Sequence, residues 1–320
     1  MKRVRQMIGL IVCAGMFSGC CHFSCRTQRA SPLPLPASVA AEFASGKTRP
    51  SAAHETDLAA KDGYAVTRID LPAFNDRLRG NRTIALDFYL PEGSDRRPVI
   101  LVLPTAGGSY QIESHFASYF ARHGLAAVIV HRPEKFSGLI RLETIDALFK
   151  QSVRDHKLVL DWIETRPELD TGRIGVFGVS LGAIQGALLT PLDPRVRAAV
   201  LGLTGGDLPY LLTYSTESGV SRRRREILRE HKLTLPELHR KLEATITCDP
   251  DAFAAYVDPK EVLLVLAFCD TTVPYKKGWE LREKMGKPET ILLPTGHFTA
   301  LLYLPYIQRQ AREFFQKKLN

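Results

Sequence analysis

Short runs of Val, Ile, Leu and Ala recur along the middle of the chain with no charged residue inside them. They are Val99 to Leu103, Leu125 to Val130, Ile174 to Phe177, Ala198 to Leu203 and Val262 to Phe268. Apolar runs of this length suit strands of a parallel sheet covered on both faces. Ahead of them, Tyr64 to Leu71 and Arg82 to Leu90 alternate apolar and polar positions, as half-exposed strands or a hairpin do. Ile291 to Leu293 predicts a last short strand. Between the runs the period lengthens to that of a helix: Ile145, Leu148, Val153, Leu158 and Trp162 mark one over Ile145 to Glu164. Others are predicted to begin at Leu181 and to cover Tyr275 to Met285 and Ala300 to Lys318. Strand–helix alternation predicts an α/β class, a doubly wound and mostly parallel sheet. One interval breaks the rhythm. Between Leu203 and Glu261 there are helical fragments, Ser221 to Lys232 and Pro236 to Thr245, and no strand-like run. That predicts a helical cap or lid inserted at about residues 204–258, above the carboxyl ends of the strands.

The amino-terminal 61 residues follow a different pattern. Met1 to Arg5 is basic, Met7 to Phe17 mostly apolar, and Ser18-Gly19 small, which predicts an export signal over residues 1–19. Phe17-Ser18-Gly19-Cys20 resembles the lipobox of bacterial lipoproteins, and that resemblance implies lipidation of Cys20 and a membrane anchor. An ordinary secretory signal, giving a soluble periplasmic or secreted protein, is the alternative. Residues 20–61, rich in Pro, Ser and Ala and without periodicity, read as an extended linker. That leaves residues 62–320 as the folded domain with its cap. No apolar run reaches the roughly 18 residues of a membrane-spanning helix.

Composition narrows the functional classes. At 45% hydrophobic and 24% charged, the 320 residues have ample material for one large globular domain. The formal charge is +9, of which Lys2, Arg3 and Arg5 fall in the expected signal, leaving +6. Such a charge favours anionic surfaces or substrates, yet no nucleic-acid reader motif accompanies it. Cys20, Cys21, His22 and Cys25 lack the second half of a metal site, and no nucleotide loop is present, so neither metal nor cofactor is expected. Cys248 and Cys269 in the folded part could pair in an exported protein. Arg222 to Arg225 read as a solvated helix face, with contact to anionic lipid or an acidic substrate as the functional alternative. His115 and His131 read as structural.

The chemistry lies in three separated stretches. Gly178-Val179-Ser180-Leu181-Gly182 sits between a predicted strand and a predicted helix, the G-x-S-x-G arrangement in the context that gives it meaning. The reversal is so tight that side chains at the glycine positions would strike backbone, and it lifts the serine hydroxyl above the sheet. A serine hydroxyl is a poor nucleophile at neutral pH and needs an imidazole to take its proton. The imidazole needs a carboxylate to hold its tautomer. Asp270 stands past the run Val262 to Phe268, and His297 follows the last strand in Pro294-Thr295-Gly296-His297, giving the order Ser, Asp, His. Asp207, past Ala198 to Leu203, is the rival acid. An oxyanion would be held by the N–H of Leu181 and by one from Pro104-Thr105-Ala106-Gly107-Gly108, at Ala106 or alternatively Gly107.

With these stretches, Asp161-Trp162, Arg166-Pro167, Asp170, Arg173-Ile174-Gly175 and Asp270-Thr271-Thr272-Val273-Pro274, the chain from about Val99 to Leu319 resembles the dienelactone-hydrolase-like and carboxylesterase branches of the α/β-hydrolase superfamily. The resemblance implies a serine esterase acting without cofactor on a small-molecule or lipid-like ester. Ser180 would be its nucleophile, His297 its base and Asp270 its acid. Serine replaces the cysteine of dienelactone hydrolase itself, so that substrate is not implied. Peptidase or amidase, acyltransferase or thioesterase, and an inactive binding protein on the same scaffold remain as alternatives.

Overall fold

A computed structural model describes residues 21–23, 32–44, 54–61, 63–76, 80–107, 109–132 and 140–320. Among them ten strands form one sheet: β1 Cys21–Phe23, β2 His54–Lys61, β3 Tyr64–Asp76, β4 Gly80–Pro91, β5 Arg97–Leu103, β6 Ala126–Val130, β7 Leu169–Val179, β8 Val196–Gly202, β9 Val262–Ala267 and β10 Glu289–Leu293. The order across the sheet is β1-β10-β9-β8-β7-β5-β6-β4-β3-β2. The block β6-β5-β7-β8-β9-β10 is parallel, and antiparallel strands close it on both sides. The helices are α1 Ala37–Glu42, α2 Gln111–Arg122, α3 Ile145–Ile163, α4 Leu181–Leu192, α5 Leu208–Tyr214, α6 Ser218–Glu230, α7 Leu235–Thr245, α8 Pro250–Phe253, α9 Tyr275–Lys284 and α10 Leu304–Lys318. This is the α/β-hydrolase fold, with α5 to α7 inserted between β8 and β9 as a cap.

The uninterrupted apolar runs become the central strands because each buries both faces. On β5, Val99, Leu101 and Leu103 join one core, with α3, α4 and the cap, while Ile100 and Val102 join the other, with α2 and α10. In that second core Phe116 and Phe120 of α2 pack on Phe177 of β7, ring centroids 4.2 and 5.6 Å apart. Each such buried ring is worth roughly 1.5–3 kcal/mol. After β5 the chain turns one way to β6, then crosses back to β7 on the other side of β5. The carboxyl ends of β5 and β7 therefore flank a crevice where neighbouring connections diverge, the place where open α/β sheets bind ligands.

Two expectations need correcting. Residues 20–61 are tied to the domain wherever they are described, rather than being a free linker. β1 pairs antiparallel with β10, β2 pairs with β3, and Phe43 is fully buried, edge-on to Phe253 at 5.9 Å. A polar sequence such as His54–Lys61 forms a strand only because β3 offers it an unpaired edge. Cys248 is buried and Cys269 exposed, and both thiols are free. The expected signal segment, residues 1–19, and Cys20 lie outside the described residues. Among the described residues no helix is long and apolar enough to cross a membrane.

His156 of α3 is 4% exposed, and its Nδ1 has no hydrogen-bond partner. Burial pushes its pKa down to about 3 from the ordinary 6.5. The unfolded chain takes up a proton that the folded chain refuses, so this group's contribution to stability is present above pH 6.5 and lost as pH falls towards 3. From this group alone the unfolding free energy should drop by about 1.4 kcal/mol per pH unit below about pH 6. Urea titrations of wild type and His156→Gln should show that difference in slope; parallel slopes would contradict a neutral buried imidazole.

Candidate active site

β7 ends at Val179 and α4 begins at Leu181, so one residue makes the whole reversal. Ser180 does it at φ 57° and ψ −121°, a region that side-chain-bearing residues rarely occupy. Its N–H donates to the Gly202 carbonyl (2.8 Å), and its carbonyl accepts from Ile184 (3.0 Å), so the strained residue is fixed on both sides. The flanking glycines are required by space. A Cβ on Gly178 would come 2.6 Å from the Ala183 nitrogen, and one on Gly182 would come 2.7 Å from the Leu103 carbonyl carbon. Both obstacles are backbone.

Ser180, His297 and Asp270 converge at the rim of the sheet. His297 follows β10 in a turn pinned by Gly296 N–H to Thr299 Oγ1 (3.0 Å) and Ala300 N–H to the Gly296 carbonyl (3.1 Å). Its Nε2 lies 3.0 Å from Ser180 Oγ and its Nδ1 lies 2.7 Å from Asp270 Oδ2. The other oxygen, Asp270 Oδ1, accepts from the N–H groups of Thr272 (2.8 Å) and Val273 (3.0 Å). The Asp270 side chain is 2% exposed and that of His297 9%. An ionised carboxylate can only accept, so Nδ1 carries the imidazole proton and Nε2 is left to accept from the serine hydroxyl. Three donors on one buried carboxylate satisfy most of what burial takes from it.

Asp207 is not part of this constellation. It sits at φ 59° as the N-cap of α5, accepting from Tyr210 N–H, and its Oδ2 is 2.7 Å from Lys277 Nζ. A carboxylate already holding an ammonium and a helix end has no place beside the imidazole.

Leu181 opens α4, so its N–H has no partner within the helix. It lines the space above Ser180 together with Ala106 and Gly107. The loop carrying Ala106 is held by residues that the sequence patterns did not single out. The carboxylate of Glu113, 3% exposed in the first turn of α2, accepts from Thr105 N–H at 2.6 Å. The Arg132 guanidinium donates to the Gly107 carbonyl. Ser215, buried in the cap, donates its hydroxyl to the Thr272 carbonyl at 2.7 Å, which ties the cap to the loop holding Asp270. None of Glu113, Arg132 and Ser215 carries a sequence signal that separates it from other residues of its kind.

Two cavities meet at Ser180. The larger, about 1080 Å³, lies under the cap and is walled by Tyr110, His131, Leu148, Leu212 and several arginines. The smaller, about 260 Å³, is apolar, walled by Ile112, Phe116, Phe177, Val200 and Leu301, with His297 on its side. His131 does not reach the serine; it is bonded to Asp87 (2.8 Å) and stacked on Tyr110. Burial pushes the Asp87 carboxyl up, but hydrogen bonds from His131 and Arg68 outweigh it and hold the group below its usual range. Among the described residues no group of three or more His, Cys, Asp or Glu could hold a metal ion.

A family model described as X-Pro dipeptidyl-peptidase (S15 family) matches residues 80–244, from β4 through α7. Comparison with curated proteins returns no match. Solved structures similar to this chain include acetyl xylan esterase 1 from Thermoanaerobacterium sp. JW/SL YS485, with 16% identity, TM-score 0.62, and 87% of this chain and 96% of that one covered. Acetyl xylan esterase from Paenibacillus sp. R4 has 17% identity and TM-score 0.60, over 85% and 92%. A cold-adapted esterase from an Arctic intertidal metagenomic library has 18% identity and TM-score 0.54, over 83% and 98%. At these identities the likeness is one of fold.

The packing around the reversal gives a measurable contrast. Gly182→Ala should lower stability by about 3 kcal/mol, the upper end for an overpacked site, because backbone blocks the new methyl. Gly107→Ala, where a Cβ meets only Thr105 Oγ1 at 3.7 Å, should stay within about 0.5 kcal/mol. Equal urea midpoints for the two variants would contradict the space argument.

Proposed function

We propose that this chain, which belongs to the X-Pro dipeptidyl-peptidase (S15) family and is a serine hydrolase of the α/β fold, cleaves carboxylic esters through an acyl-enzyme on Ser180. The observation carrying this reading is the unbroken chain of contacts, 3.0 Å from Ser180 Oγ to His297 Nε2 and 2.7 Å from His297 Nδ1 to Asp270. As the hydroxyl oxygen attacks the acyl carbon, its proton passes to Nε2, and Asp270 stabilises the imidazolium that forms. The N–H groups of Leu181 and Ala106 hold the oxyanion, with Gly107 the alternative donor. Collapse expels the alcohol, which leaves with the proton from Nε2. Water activated by the same nitrogen then frees the acid. The chemistry requires no cofactor.

The family description favours a second reading, a peptidase. A dipeptidyl-peptidase must hold the protonated amine at the start of its substrate, and the natural partner is a carboxylate. The larger cavity offers one, Glu217, and its oxygens already accept from Val220 N–H (2.6 Å) and Ser218 Oγ (3.2 Å). That wall suits an ester better than an amino terminus. Esterase is also the activity named for the fold neighbours above.

We further place the protein outside the cytoplasm, anchored by lipid on Cys20. The basic, apolar and small-residue succession before that cysteine supports this. Since β1 begins at Cys21, such an anchor would leave no spacer before the β10 edge of the sheet.

Three outcomes are expected. Turnover of a p-nitrophenyl ester should exceed that of the matching p-nitroanilide by orders of magnitude; the reverse order would establish the peptidase. Asp270→Asn should lower kcat by about 10⁴-fold, as loss of the orienting carboxylate does elsewhere, while Asp207→Asn stays within a few-fold; a larger loss for Asp207→Asn would reassign the acid. Expressed in a bacterial host, the wild type should partition into the detergent phase of Triton X-114 and Cys20→Ser into the aqueous phase. Identical partitioning would remove the anchor.

A further inference from the structure

We propose that the site takes esters joining a short apolar alcohol to an acyl half that carries a carboxylate or phosphate, and that Arg222 binds this anion. The proposal rests on the esterase reading above and names its substrate class.

The two cavities at Ser180 are chemically unlike. The smaller is walled chiefly by apolar side chains, with His297 and no arginine, and shares Ser180, Glu217 and Ser218 with the larger. The larger carries four arginines, Arg68, Arg82, Arg132 and Arg222, against the single carboxylate of Glu217, and His297 is not on its wall. Because His297 must hand its proton to the departing alcohol, the alcohol half lies on the His297 side, in the 260 Å³ cavity. The acyl half then extends into the arginine-lined chamber.

Most of that positive charge is already committed. Arg68 is paired with Asp87 at 2.6 Å, Arg82 is paired with Asp155, and Arg132 donates to the Gly107 carbonyl. Glu217 is occupied in capping α6. Arg222 has neither a hydrogen bond nor an ion pair among the described residues. Its neighbours in the run do other work. Arg223 binds the Ile140 carbonyl (2.6 Å), Glu226 and Glu230, and Arg224 binds the Ser215 carbonyl (3.0 Å) and Ser221. Arg222 and Arg225 are both exposed, but Arg225 lines neither cavity. Ser218, Gly219 and Arg222 share one face of α6, three and four residues apart, and all three line the chamber. Of four consecutive arginines, one therefore lines the chamber with no donor engaged among the described residues. Apolar walls at Leu148, Phe149, Leu211 and Leu212 lower the local dielectric, and a guanidinium fork matches a carboxylate or phosphate in two hydrogen bonds.

The test uses monobutyl esters of succinate, adipate and suberate beside their neutral carboxamide counterparts, with butyl 4-phosphonooxybutanoate as the phosphate arm. At the best length, wild-type kcat/KM should favour an anionic ester over its neutral counterpart by about tenfold, the worth of one such contact at 1.4 kcal/mol. The arm with the larger preference identifies the anion. Arg222→Gln should abolish the preference and Arg222→Glu reverse it, while Arg225→Gln keeps it. No preference in wild type, or one that survives Arg222→Gln, overturns the proposal. Neutral esters turned over by wild type and not by Ser180→Ala would leave the esterase reading standing in each of those cases. If neither neutral nor anionic esters are turned over, both fall.

Discussion

The site depends on a reversal one residue long. Between β7 and α4 the backbone turns at Ser180 alone, and it can do so only because Gly178 and Gly182 leave room for the Ala183 nitrogen and the Leu103 carbonyl. That close approach also brings the end of β5 against the start of α4, so the loop with Ala106 and the first N–H of the helix end up side by side. A single steric constraint thus sets both the exposed hydroxyl and the donors opposite it. The cost is a strained φ of 57°, offset by bonds from Ser180 to Gly202 and Ile184 and by the buried sheet on either side.

Around the reversal, the polar groups are held by neighbours on the surrounding loops and the cap. Asp270 is fixed by two backbone donors and by His297, and its loop is tied to the cap through Ser215. The Ala106 loop is fixed by Glu113 and Arg132. Groups placed this way need little reorganisation as charge develops, which is where electrostatic stabilisation has its largest effect. The cap does two jobs, steadying the acid loop and carrying the chamber wall in which Arg222 lies.

Much of this was legible in the sequence. Every central strand announced itself because a strand buried on both faces must be apolar throughout, and the serine motif because its glycines have no substitute. Two of the three cap helices, α6 and α7, appeared as fragments within a few residues of their limits, while α5 gave no signal. What escaped depended on partners distant in the chain. The strand His54–Lys61 carries no apolar alternation and exists by pairing with β3. The helix Gln111–Arg122 starts at Tyr110 with no side-chain cap, so no start signal marks it, although Phe116 and Phe120 are four apart. Asp207 and Asp270 both follow strands, and what separates them is the partner each meets, His297 for Asp270 and Lys277 for Asp207. Glu113 looks like any acid at a helix start until its burial is known.

The central claim, that Ser180 is the nucleophile and His297 activates it, is tested most directly by covalent capture. The protein is treated with a fluorophosphonate and its peptides are mapped by mass spectrometry. The account predicts a single adduct on the peptide carrying Ser180, absent in Ser180→Ala and formed at least a hundredfold more slowly in His297→Ala. An adduct on another residue, or labelling of Ser180 at the same rate without His297, would contradict it.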